Sequence, residues 1–292
     1  MSGRRVKCAV VGGSGLYSLA EMDGEREVIA TTPFGAPSDA IRVGRVGGQS
    51  VAFLARHGRN HRLLPSEINY RANIFALKQL GVERLVSVSA VGSMATSFRP
   101  RDVVLVDQFV DRTSGRASTF FGDGVAAHVS LADPVCPETR SILVRAAGGA
   151  GDGVHDGGTY LCIEGPAFST RAESRLYRQW GVDVIGMTNL PEARLAREAE
   201  ICYASIALVT DYDCWHEEEE DVSVGSVLEN LNANSARAGE ILREALALFP
   251  ERGNGCSCAD ALEHAVITPS HAIPRETRDR LQPILGKYLP AE

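Results

Sequence analysis

The chain has 292 residues, enough to bury a core of its own in one large or two modest domains, and its 44% hydrophobic and 23% charged residues are ordinary for a soluble globular protein. A net charge of -7 argues against a generic nucleic-acid-binding surface, while leaving room for a local basic pocket that takes an anion. No stretch approaches the roughly 20 apolar residues of a membrane span, and Cys8 to Val11 is too short for a signal peptide, so a cytoplasmic protein without membrane or nucleic-acid partners is expected.

The first expected strand, 7–11, runs into Gly12-Gly13-Ser14-Gly15-Leu16. Glycines there let backbone amides approach an anion, and Ser14 can donate to one of its oxygens. The spacing is neither GxGxxG nor a Walker loop, so dinucleotide or ATP binding is not supported, and a tight turn without a ligand fits equally well. Strands at 41–46 and 51–55 follow, the second leading into Ala55-Arg56-His57-Gly58-Arg59-Asn60-His61. Arg56, at the strand end, is a better bidentate anion ligand than Arg59, and His57 can add a donor or orient the anion; a surface turn with scattered charge is the alternative.

A helix over 66–80 is predicted from Ser66 after Pro65 and the stop at Gly81. The strand at 84–90 exits through Ser89, Ala90 and Gly92, and another is expected at 102–106. Next come a strand at 159–163, a helix over 170–180 with Thr170 and Glu173 spaced as a capping box, and a strand at 182–186 leading to Met187, Thr188 and Asn189. Small and hydroxyl residues at strand exits suit a ligand crevice at the carboxyl edge of an α/β sheet.

The most apolar strand, 201–210, ends in Thr210-Asp211-Tyr212-Asp213-Cys214-Trp215. Side chains two apart on a strand share a face, so Asp211 and Asp213 converge while Tyr212 points away. Like charges so close do not both ionise cheaply, and one acid can keep its proton; two solvated acids in a loop are the alternative. The acidic run 216–221 reads as a solvated loop or helix start. The last long helix follows Ser223, with Val224, Val227, Leu228, Leu231 and Ala238 on one stripe at a period near 3.6. There are no internal repeats, and alternating strands and helices predict a single α/β domain over 6–249, a central mixed β-sheet flanked by helices, followed by an extension over 250–292 with a Cys-x-Cys pair and a short helix.

Seven cysteines are too few for a disulfide scaffold and odd in number. Cys8, Cys162 and Cys202 lie in apolar runs as small hydrophobes. Cys256-Ser257-Cys258 reads as a redox pair, half of a metal site or an incidental feature; with no second Cys pair or His-x-His partner at zinc-finger spacing, no metal is expected.

Gly12-Gly13-Ser14-Gly15-Leu16, Thr32-Pro33-Phe34-Gly35, Ala55-Arg56-His57-Gly58, Asn69-Tyr70-Arg71-Ala72-Asn73, Asp107-Gln108-Phe109, Ile163-Glu164-Gly165-Pro166 and Thr210 to Trp215 together resemble, in unbroken order over about residues 6–249, the S-methyl-5'-thioadenosine phosphorylases of the trimeric purine nucleoside phosphorylase superfamily. The resemblance implies a nucleoside phosphorylase-like fold, a homotrimer or dimer of trimers, and salvage chemistry with inorganic phosphate as co-substrate and no cofactor. It implies phosphate binding by Ser14, Arg56, His57, Ser89, Ala90 and Thr188, ribose contact by Met187, and purine contact by Phe168, with Ser169 beside it. Asp211, the Tyr212 backbone and Asp213 would face the base, Asp213 as proton donor and Asp211 as acceptor of the 6-amino group, and Val224 and Leu228 would seat the methylthio group. Ser14 stands where members usually carry Thr, and Ala167 where many carry Arg. Methylthioinosine phosphorylase or a broader purine nucleoside phosphorylase is the alternative activity; a nucleoside sensor without turnover is a further one.

Overall fold

Two ten-residue runs, 84–93 and 202–211, are almost wholly buried, which for strands means cover on both faces and a central place in a sheet. In the computed structural model, which describes residues 6–13, 22–148, 152–216, 224–250 and 255–289, they lie side by side in parallel, Arg84 opposite Cys202 and Val91 opposite Val209. In chain order the strands are β1 (Cys8–Gly12), β2 (Asp23–Val28), β3 (Ile41–Val46), β4 (Gln49–Ala55), β5 (Arg84–Ser93), β6 (Val103–Val106), β7 (Gln108–Arg112), β8 (Val154–Asp156), β9 (Thr159–Ile163), β10 (Val184–Gly186) and β11 (Cys202–Asp211). The helices are α1 (Tyr70–Gln79), α2 (Pro137–Ala147), α3 (Arg171–Gln179), α4 (Asn189–Glu198), α5 (Val224–Leu248), α6 (Arg275–Arg280) and α7 (Gln282–Leu285).

The sheet is mixed and branches at β5. β1 and β11 flank β5 in parallel, while Gly92 and Ser93 at its end pair antiparallel with β10. One arm continues from β1 through β4 and β3 to β2, a second from β10 through β9 to β7, and a third from β11 through β6 to β8. The parallel strands β4, β1, β5 and β11 therefore end at one edge, and β10 returns along the last residues of β5 to the same place, which opens a crevice there.

Alternation along the strands divides the core into two layers. Ala9 and Val11 of β1 face a cluster with Ile74 and Leu77 of α1 and Leu195 of α4, whereas Cys8 and Val10 face one with Ile142 of α2 and Ile241 and Leu242 of α5. The C-terminal segment joins the first layer through Leu262, Ile273, Leu281 and Leu285, which are nearly or fully buried. Among the described residues no helix is long and apolar enough to cross a membrane.

The expected strands at 41–46 and 159–163 form as read, and the six others shift by one to three residues at one or both ends. The 84–90 strand extends to Ser93 because β10 supplies partners for its last residues. The expected helix start at Ser66 is corrected to Tyr70. Glu67 takes the Leu64 amide at 2.9 Å, forming a turn, and Asn69 caps the helix by accepting from the Ala72 amide at 3.1 Å. The capping box at Thr170 and Glu173 forms as expected. Three strands carry little signal in the sequence: β2 is polar and exposed, β7 is half-buried, and β8 has three residues.

Candidate active site

At the crevice lies a cavity of about 600 Å³, walled by strand exits on one side and by α5 on the other. Gly13, Arg56, His57, Ser89, Ala90, Met187 and Thr188 line it, as do Phe168, Ser169, Asp211, Asp213 and Leu228. The candidates from β4, β5, β10 and β11, scattered along the chain, thus meet at one cavity, beside Gly13 just after β1. Ser14 lies outside the described residues, as does the Val224 side chain; the α5 side chains that do line the cavity are Val227, Leu228 and Leu231. Tyr212 is not a lining residue. Its ring packs against His216 at 4.7 Å and Trp215 at 5.7 Å.

Arg56 is held more tightly than a free cation would be. Its side chain is 1% exposed, and Nε and Nη2 donate to the two carboxylate oxygens of Glu192 at 2.8 and 3.0 Å. Nη1 donates to Val88 O and Nη2 to Val11 O and Ser87 Oγ. Glu192 cancels most of the net charge, so what Arg56 brings to the cavity is a donor in a fixed plane rather than a positive field. One Nη1 hydrogen is not taken up by these partners. Glu192 carried no sequence signal; it lies 136 residues away on α4.

His57 donates from Nδ1 to Leu63 O at 2.9 Å, since a carbonyl can only accept, and its ring stacks on His61 at 4.1 Å. Burial, with Arg56 and His61 adding to it, pushes His57 down to about 4, so the ring is neutral near pH 7 and Nε2 is an acceptor. Of the two roles expected for His57, the donor is corrected and the orienting one fits: this nitrogen accepts a hydrogen bond, for which a protonated phosphate oxygen is suited. Ser89 Oγ, in contrast, is buried without a well-formed hydrogen bond among the described residues, and the Thr188 side chain makes no capping hydrogen bond at the start of α4. Both are hydroxyl donors lining the cavity.

The acidic pair converges, but not by strand alternation. β11 ends at Asp211 after an irregularity past Val209, and Asp213 takes a left-handed conformation, φ 52°, that turns it back to the same wall. Asp211 Oδ1 accepts from the Asp213 amide at 2.8 Å and Oδ2 meets Thr210 Oγ1 at 2.7 Å, so its two oxygens brace the turn. Asp213 Oδ2 has Cys214 Sγ at 3.8 Å. Both carboxyls titrate above their ordinary range, and burial is the main cause for each. Mutual charge is a minor cause for Asp211, and the like charge that raises Asp213 is Glu173. Gly92 makes room for the pair: a Cβ there would stand 2.8 Å from Asp211 Oδ1.

Arg116, which the sequence did not flag, fixes the third wall. Its side chain is 3% exposed and pairs with Glu164, while Nη1 donates to Met187 O and Leu190 O and Nη2 to Glu164 O. It thereby ties the loop after β9 to the loop after β10. Phe168, 47% exposed, stands at the mouth of the cavity beside the exposed Ala167.

The family model described as the phosphorylase superfamily matches residues 7–247. The S-methyl-5'-thioadenosine phosphorylase of Geobacter sulfurreducens is 56% identical over 96% of this chain and 98% of its own length. That of Koribacter versatilis is 53% identical over 97% of both. Among solved structures, a methylthioadenosine phosphorylase from an Antarctic soil metagenomic library matches with a TM-score of 0.92 at 51% identity, over 97% of this chain and all of that one. Methylthioadenosine phosphorylase from Schistosoma mansoni in complex with adenine matches with a TM-score of 0.82 at 40% identity, over 88% and 96%.

Proposed function

The chain belongs to the phosphorylase superfamily, and from that we propose that it is a pentosyltransferase cleaving S-methyl-5'-thioadenosine with phosphate, to adenine and 5-methylthioribose 1-phosphate. The observation that carries the reading is one cavity with a buried acid, Asp213, and a partly buried one, Asp211, on one wall, hydroxyls and a fixed arginine at the strand ends, and apolar α5 side chains opposite. These suit an aminopurine, a phosphate and a methylthio group respectively.

A phosphate oxygen forms the new bond to the anomeric carbon as the bond to the purine N9 breaks. The phosphate is seated by the Arg56 Nη1 hydrogen, the Ser89 and Thr188 hydroxyls and, on the sequence resemblance, Ser14, with Ala90 close by and His57 accepting from its O–H. The departing adenine needs a proton on its five-membered ring. Asp213, raised by burial, donates it, and the proton released as HPO4²⁻ becomes an ester dianion restores the balance. Asp211 accepts from the 6-amino group, since each of its oxygens keeps a lone pair. Met187 meets the ribose, while Phe168 with Ser169 borders the base. The chemistry asks for no cofactor. By the family resemblance the protein acts as a homotrimer or a dimer of trimers in the cytoplasm.

The test is adenine release from methylthioadenosine with and without phosphate, alongside methylthioinosine and adenosine at equal concentration. Strictly phosphate-dependent release, fastest with methylthioadenosine, is expected. A 6-oxopurine carries an acceptor where Asp211 expects a donor, so faster turnover of methylthioinosine would overturn the substrate, and binding without release of base would overturn the reaction.

A further inference from the structure

Four cysteines take no part in this chemistry, yet the fold gathers them. Cys136 is the N-cap of α2, Cys202 opens β11, and Cys256 and Cys258 lie in the C-terminal segment. Their four Sγ atoms all lie within 4.8 Å of one another, with Cys202 and Cys256 at 3.4 Å and Cys136 and Cys256 at 3.6 Å. A tetrahedral zinc ion with Zn–S bonds of about 2.3 Å separates its sulfurs by about 3.8 Å, which lies within this range. The partner pair that zinc-finger spacing did not reveal is thus Cys136 and Cys202, supplied by two distant elements.

The surroundings favour thiolates. Thr139 donates to Cys136 Sγ from its amide at 3.5 Å and its hydroxyl at 3.3 Å, and Arg197 Nη1 donates to Cys258 Sγ at 3.7 Å. Four thiolates around a divalent ion carry a net double negative charge, which N–H and O–H donors and a neighbouring guanidinium offset. Cys136, Cys202 and Cys258 are buried while Cys256 is partly exposed, a way in for an ion.

We propose that Cys136, Cys202, Cys256 and Cys258 bind one structural zinc(II) ion, with release of the four thiol protons. The ion ties the C-terminal segment to the N-terminus of α2 and to the start of β11. It lies at the opposite end of β11 from Asp211, about 30 Å along the strand at the usual rise per residue, so it acts on stability and not on the reaction.

The experiment is elemental analysis of the untagged full-length protein after gel filtration, with a thiol count in denaturant. About one zinc per chain and seven reactive thiols are expected. Cys136→Ser and Cys258→Ser should retain less than about a tenth of the zinc and melt on the order of 5–10 °C lower, with the rate of adenine release at room temperature kept. Cobalt(II) in place of zinc should give the visible absorption of a tetrahedral four-sulfur site. Should a variant fail to fold, the wild-type metal and thiol counts decide. Metal-free protein, with seven thiols or with disulfides among the four, overturns the proposal, as does iron in place of zinc.

Discussion

Asp213 stands at φ 52°, a conformation that few non-glycine residues adopt without a reason, and it is 6% exposed at the cavity wall. Strand alternation predicted its convergence with Asp211, and the two do converge, but through a left-handed turn braced by Asp211. The raised carboxyls likewise come from burial more than from mutual repulsion. Asp213→Asn keeps the shape and removes the proton, so single-turnover rates of adenine release should fall by roughly two to four decades with substrate binding largely retained. An unchanged rate would remove the donor role from Asp213, and a larger loss in Asp211→Asn would transfer it. Arg56 was legible as a strand-end cation, whereas its commitment to Glu192 was not: an ion pair across 136 residues leaves no local pattern.

At the scale of elements, the signals that held were those written within a few residues of each other. The capping box on α3 is one: the Glu173 amide donates to Thr170 Oγ1 at 3.2 Å, and Glu173 Oε2 accepts from the Thr170 amide at 2.8 Å. Because Phe168 and Ser169 lead directly into this cap, it also anchors part of the cavity mouth. Thr170→Ala should cost about 1 kcal/mol in a denaturant titration, and no loss would mean that tertiary packing alone holds α3. The start of α1 went the other way. Ser66 had a plausible capping position, but Asn69 won it, since Glu67 and Pro65 were already engaged in a turn. β2, β7 and β8 owe their existence to a neighbouring strand, and such pairing has no signature in a short polar segment.

For the whole molecule, stability depends on buried groups that the reaction does not use. Glu198, at the end of α4, is 5% exposed and accepts from Thr119 Oγ1 at 2.8 Å and from the Phe120 amide at 2.7 Å. Burial still outweighs those donors and pushes the carboxyl up from 4.5 to about 7. Between these values the native chain holds a proton that the unfolded chain has lost, so stability falls as the pH rises through that window. The contribution, on the order of 3 kcal/mol, is fully present below the unfolded value and lost above the folded one. Glu198→Gln resembles the protonated form, and its melting temperature should vary less than that of the wild type between about pH 5 and pH 8. An equally steep fall in the variant would assign the pH dependence to other groups.

The sequence by itself determined the mixed α/β class, the central strands, the glycine-rich exits, the acidic pair and the family, because periodicity, caps and ordered motifs are all written locally. Tertiary structure alone decided that Arg56 is neutralised by Glu192, that Arg116 ties two cavity walls together, and that Cys136 and Cys202 meet the Cys256-Ser257-Cys258 pair. These contacts join residues scores of positions apart, and only the branching of the sheet at β5 and the return of the C-terminal segment across the core bring them within reach of one another.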